Sequence, residues 1–206
     1  MTDSLGARLR LTVLGCSTAA PHPATPTAGY LVEWGSTAIL LDCGQGVIRN
    51  LQKVLDPHDL SAIIIGHMHA DHYLDIVGLR YLYPWGEPAP DPLPIHLPPG
   101  GRARLDALSK AVSERDGFFD AAFIAQEYDP DSVLEIGELR VRFVKGRHYV
   151  PAWGVVIDAP DEERGRRDRV VDATIYLVAF AISAATLAGT WQMHPPWLRV
   201  VAIVIG

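Results

Sequence analysis

The run Ser61-Ala62-Ile63-Ile64-Ile65, stopped by Gly66, constrains this chain more than any other feature. Consecutive isoleucines offer no polar face, so a strand built from them is covered on both sides, as inside a layered sheet. Directly after it, His67-Met68-His69-Ala70-Asp71-His72 places four metal-competent side chains in six residues. An extended segment puts His67 and His69 on one side, because side chains alternate with a period of two. A turn into helix then lets Asp71 and His72 point back toward a second position. Imidazole nitrogens with a carboxylate oxygen suit zinc, and also iron or manganese. Two such ions, roughly 3.5–4 Å apart, clamp the attacking and leaving oxygens of a hydrolysis. The plain alternative is a histidine-rich surface loop without an ion. Such a loop has no reason to follow a buried strand with this mixture of ligand types.

Strand and helix signals alternate along the chain. Leu9–Leu14 reads as a first strand ending at Gly15, and Cys16–Ala28, rich in Ser, Thr and Pro, reads as a loop. Gly29–Glu33 and Thr37–Leu41 flank Trp34-Gly35-Ser36 as a hairpin. Val47, Leu51 and Val54 recur at helical spacing, ending near Asp56-Pro57. The spacing predicts a helix from Asp71 to Tyr83, a proline-rich loop over Gly86–Pro94, a short strand at Ile95–Leu97 and a helix over Arg102–Val112. Val133–Glu135 and Leu139–Val144 form another hairpin around Ile136-Gly137-Glu138, and Val155–Ile157 is a further strand. Strands interleaved with helices in this order indicate a layered α/β or α+β domain.

Composition narrows the function classes. At 206 residues the chain suits one domain, and a formal charge of −6 argues against a generally basic, phosphate-hugging surface. Two cysteines, Cys16 and Cys43, are too few for a disulfide framework. The first residues lack the apolar run of a secretory signal, so a cytoplasmic setting is expected.

A first ion held by His67 and His69 alone lacks a third protein ligand. His148, in Gly146-Arg147-His148-Tyr149, follows the Leu139–Val144 strand and is the best distant candidate. The H-x-H-x-D-H hexad after an apolar strand resembles the metallo-β-lactamase superfamily. So do the L-G-C-S-T-A-A-P loop, the hairpin and Leu41-Asp42-Cys43-Gly44. Gly29-Tyr30-Leu31-Val32 and the helix before Asp59-Leu60 look most like its ribonuclease Z-like branch, and the similarity covers about residues 8 to 158. The resemblance implies a four-layered αββα sandwich of the α+β class, its second half shortened, with the site at one edge of two sheets. It implies that His67, His69 and His148 hold one zinc ion, and Asp71 with His72 a second. Asp42 becomes a residue behind the ligands or an anchor for the loop. Asp71 is also a candidate proton acceptor from the attacking water, and a homodimer is implied.

Two further ligands expected by the resemblance fall in odd territory. Asp172 is the match for an aspartate bridging both ions, and His194, in Met193-His194-Pro195-Pro196-Trp197, the match for a last histidine on the second ion. Between them lies less chain than the usual strand, helix and strand. Eight of the nine residues Asp161–Arg169 are charged, and Ala173–Leu198 holds no Asp, Glu, Lys or Arg. The reading is therefore a core over 1–160 and a charged loop plus apolar atypical tail over 161–206, completing the same domain. Thr174–Met193 also approaches the length of a membrane-spanning helix, with arginines before it and Trp191 and Trp197 at its far end. Burial as a strand plus helix closing the sandwich is the other reading.

These signals predict a metal-dependent hydrolase that uses activated water, and the branch resemblance implies a phosphodiester or related ester as its substrate. Zinc lowers the pKa of water from about 15.7 to about 7. A small molecule or nucleotide suits the acidic chain better than tRNA, because no basic arm or aromatic–basic interleaving is present. Thioester or lactam hydrolysis, a degenerate non-catalytic metal-binding member and a membrane-attached scaffold stay open as alternatives.

Overall fold

Eleven strands in two sheets carry the architecture of the computed structural model, which describes residues 9–20, 22–83, 90–114, 116–160, 178–179 and 200–204. The first sheet takes its strands in sequence order: β1 (Arg10–Gly15), β2 (Gly29–Trp34), β3 (Thr37–Leu41), β4 (Ala62–Ile64), β5 (Leu93–Leu97) and β6 (Phe123–Glu127). The first three pair antiparallel, and β3 to β6 run parallel. The second sheet comprises β7 (Leu134–Ile136), β8 (Leu139–Lys145), β9 (Trp153–Asp158), β10 (Val178–Ala179) and β11 (Val200–Val204), ordered β10-β11-β9-β8-β7.

Side-chain alternation assigns each residue of the first sheet to one of two cores. Leu31, Ala38, Leu40, Ile63 and Ile95 face a helical layer. That layer comprises α1 (Val47–Leu51), α3 (Ile76–Arg80) and α4 (Gly101–Ser113), contributing Val47, Leu51, Ile76, Leu79 and Leu105. The intervening Tyr30, Val32, Ile39, Leu41, Ala62 and Ile64 face Leu139, Val141, Trp153, Val155 and Ile157 of the second sheet. The isoleucine run is thus covered on both faces, as its composition requires. The described residues show three layers, helices, sheet and sheet; none of their helices covers the outer side of the second sheet, whose Arg140 and Arg142 are exposed.

Several elements depart from the sequence expectation. The helix expected over Asp71–Tyr83 is two, α2 (Ala70–Tyr73) and α3, parted at Leu74-Asp75. There the Asp75 backbone N–H donates to Cys43 O (3.0 Å) and the Asp75 carboxylate accepts from Ile48 N–H (2.8 Å). Tertiary bonds win over helical continuity. Strand β6 shows no clear alternation, since buried Phe123 and exposed Ile124 are both apolar and Gln126 and Glu127 are both polar and exposed. Strand β5 starts at Leu93, two residues before the expected start, and includes Pro94. Its ladder to β4 begins only at Ile95, so the missing Pro94 N–H leaves no unmet bond there.

Among the described residues no helix is long and apolar enough to cross a membrane. The stretch 174–193 lies outside them except for Val178–Ala179, which form strand β10.

Candidate metal centre

The hexad leaves the end of β4 through Gly66, which joins the two sheets. Its N–H donates to Asp42 Oδ1 (2.8 Å), and its carbonyl accepts from Trp153 N–H of β9 (3.0 Å). His67 is fully buried, His69 is extended (φ −85°, ψ 150°), and α2 then begins at Ala70. The expected change from strand-like to helical backbone therefore falls inside the hexad. It aims His67 and His69 one way and brings Asp71 and His72 around in the first helical turn.

Leu41-Asp42-Cys43-Gly44 lies against the hexad and fixes it. Asp42 has a left-handed backbone (φ 56°), a conformation Asp tolerates better than most residues. Its buried carboxylate is shared, with Oδ1 on Gly66 N–H and Oδ2 2.7 Å from His72 Nδ1. Cys43 N–H donates to His72 O at 2.6 Å. Gly44 has to be glycine, because a Cβ there would collide with the Asp71 carbonyl and the Thr27 hydroxyl. Asp42 thus ties the loop to Gly66 and braces the His72 ring from behind.

Three imidazoles converge at the mouth. His148, in the loop after β8, brings Nε2 to 3.1 Å from His69 Nδ1, and His67 Nε2 lies 3.1 Å from that same nitrogen. Among the described residues, His67, His69 and His148 are the cluster able to hold a metal ion, with one ligand atom from each inside a 4.8 Å span. Neutral rings place at most one proton between each pair of nitrogens, whereas a cation engages all three lone pairs. The donor set fits a metal. Beside it, the Nδ1 bond to Asp42 leaves His72 Nε2 free, 3.5 Å from an Asp71 carboxylate oxygen. A carboxylate behind a histidine in this way fixes the tautomer and raises the basicity of the outward nitrogen.

Electrostatics separate the rings. Burial, then the charge of His72, holds the His67 pKa down to about 3, keeping the ring neutral and ligand-ready. His69 is also lowered, by burial first and then by His148. For His72 burial works against the charged form, but the nearby Asp42 and Asp71 carboxylates outweigh it and the pKa rises.

Tyr149 was not singled out in the sequence. It is 84% exposed at the rim, its ring 4.9 Å from that of His69 and 4.5 Å from that of His148. Its place beside His148 is the only local signal. Asp172 and His194 lie outside the described residues.

A cation-ready cluster at the shared edge of two face-packed sheets, one with a helical layer, defines a metal-binding sandwich of the metallo-β-lactamase type. The family model for a beta-lactamase superfamily domain matches residues 37–169, and the chain belongs to that family. Among curated proteins, it is 30% identical over 162 residues to the ribonuclease Z of Haloferax volcanii, covering 78% of this chain and 50% of that protein. It is 28% identical over 152 residues to the probable metallo-hydrolase YhfI of Bacillus subtilis (72% and 59%). The crystal structure of YhfI superposes with a TM-score of 0.62 at 26% identity, covering 72% of this chain and 58% of that one. The human short-form tRNase Z shares the fold, with a TM-score of 0.57 at 20% identity (71% and 64%). The chain spans about half the length of the ribonucleases Z it matches.

Proposed function

We propose that this chain is a zinc-dependent hydrolase acting on a phosphodiester or related ester. The observation that carries the reading is the meeting of His67 Nε2, His69 Nδ1 and His148 Nε2 beside the Asp71–His72 pair. The three imidazoles would hold one ion, and Asp71 and His72 Nε2 a second. Asp172 is proposed as the bridging aspartate and His194 as the last ligand. Bound zinc, or iron or manganese in its place, supplies Lewis acidity that acidifies water and offsets negative charge on the transition state. The remaining work falls to the chain. Asp71 orients the attacking water and accepts its proton. Asp42 accepts the Nδ1–H of His72 and so keeps Nε2 turned outward as the ligand atom. His67, buried and neutral, stays a ligand without first having to lose a proton.

Likeness to ribonucleases Z supports a phosphodiester, and the acidic balance favours a small molecule or nucleotide over tRNA. Residues 1–160 are read as the core, and the pairing of β11 with β9 supports 161–206 as completing the same domain. A homodimer in the cytoplasm belongs to the same proposal. Purified zinc-loaded protein is expected to hydrolyse bis(p-nitrophenyl) phosphate; turnover of only a thioester or a chromogenic lactam overturns the phosphodiester assignment. The rival reading is a non-catalytic metal-binding member, in which His67, His69 and His148 hold a single ion. Metal counting separates the two: two zinc equivalents per chain support the enzyme, and one or none the rival.

A further inference from the structure

We propose that the cavity between the Ser17–Thr27 loop and α1 binds a second phosphate group of the substrate, away from the bond that is cut. This deepens the phosphodiester reading and rests on it. The cavity has a volume of about 590 Å³, within the usual range of small-ligand sites. Its lining includes Arg49, Lys53, His22, Ser17, Thr25 and Gln45 and, among the described residues, no Asp or Glu. That is a local excess of positive charge in a chain whose acidic residues outnumber its basic ones, 24 to 18.

Among the described residues no carboxylate pairs with either cation. Arg49 makes no hydrogen bond or ion pair among the described residues, and the partner of Lys53 is the neutral amide oxygen of Asn50, at 2.6 Å. Arg49 and Lys53 are four residues apart, Arg49 in the last turn of α1 and Lys53 just beyond it. At that spacing like charges on a continuous helix repel by a few tenths of a kcal/mol. Placing an anion between them turns this cost into a charge-assisted contact, and the forked guanidinium suits phosphate oxygens.

The frame is built in advance. Cys16 and Ser17 both donate their N–H to Pro26 O (3.1 and 2.9 Å), Thr27 N–H donates to Gln45 O (3.2 Å), and Asn50 Nδ2 reaches Leu14 O (2.7 Å). Location supplies the link to the reaction. Thr27 lines the cavity, and the absent Gly44 side chain is all that lets its hydroxyl and the Asp71 carbonyl approach the same point. A ligand phosphate held here therefore sits one backbone away from the hexad. Such a spacing suits a small substrate with more than one phosphate, such as a 5′-phosphorylated dinucleotide, rather than a simple diester.

Two measurements test it. Inorganic phosphate titrated into the metal-free chain is expected to shift the amide NMR signals of Gln45 to Lys53 saturably, with on the order of tenfold weaker binding in the Arg49→Gln, Lys53→Gln variant. No saturable shift, or shifts confined to His67–His72, overturns the proposal. In the zinc-loaded protein the same variant is expected to raise KM about tenfold for a 5′-phosphorylated thymidine dinucleotide. Its kcat, and both constants for bis(p-nitrophenyl) phosphate, stay unchanged. An equal effect on both substrates, or on neither, overturns it. If wild-type protein hydrolyses neither substrate, the hydrolase reading fails, and the phosphate titration still decides whether the cavity takes an anion.

Discussion

The two sides of the metal centre are built differently. On one side His67 and His72 are buried, and Asp42, Cys43 and Gly44 lock the His72 ring and backbone in place. On the other side His69 and His148 are part-exposed, and His148 stands on a loop whose rim residue, Tyr149, lies mostly in solvent. One half is set by the fold. The rings of the other half meet through ring-to-ring contacts, which a shared cation would replace with stronger ones. The contrast teaches that folding and metal capture are separable here: loss of the locked side should damage the protein, and loss of the open side should damage only its metal.

The largest effect is expected from Asp42→Ala. It strands two buried donors, Gly66 N–H and His72 Nδ1, and puts alanine in a left-handed backbone. Urea unfolding of the metal-free chain should show a loss of about 3 kcal/mol or more. A loss below about 1 kcal/mol would mean that the locked side contributes little. Acid should come next. Folded His67 resists protonation down to about pH 3, whereas in the unfolded chain it accepts a proton near its ordinary 6.5. The unfolded state then binds more protons, so stability falls as pH drops from about 6.5 toward 3. The raised pKa of His72 works in the opposite direction, but its stabilisation is gained above pH 6.5 and is already complete over this interval. A melting temperature of the metal-free chain that holds constant or rises over that interval would contradict the burial of a neutral His67. The smallest effect on the fold should come from His148→Ala, with metal-free stability within about 0.5 kcal/mol of wild type. Zinc affinity by calorimetry should nevertheless drop on the order of a hundredfold. Equal zinc binding would remove His148 from the ligand set.

The same contrast explains how much was legible in the sequence. The hexad, which supplies the locked side and His69 of the open one, is local: a β-branched run, a glycine and six residues carry their own periodicity, so the positions of His67, His69, Asp71 and His72 could be read from spacing. His148 joins them across 79 residues, and nothing near it but a preceding strand marks it out. Family resemblance supplied that pairing, and the geometry agrees. What sequence did not reveal is set by contacts between distant segments. The break at Leu74-Asp75 arises because Asp75 bonds to Cys43 and Ile48. The need for glycine at position 44 appears only once the Asp71 carbonyl and Thr27 are placed against it. Strand β6 escaped notice because Phe123-Ile124-Ala125 followed by Gln126-Glu127 breaks the alternating pattern, and parallel pairing to β5 defines it.

Gly66 has a consequence beyond local geometry. Its amide is held from the first sheet by Asp42 and its carbonyl from the second by Trp153, so it acts as a rivet through both layers one residue ahead of the first imidazole. Any sliding of one layer over the other is felt at the spacing of the ring nitrogens. Repacking at Trp153, well inside the sandwich, should thus tune cation affinity from a distance, giving evolution a dial on the centre that leaves every ligand unchanged.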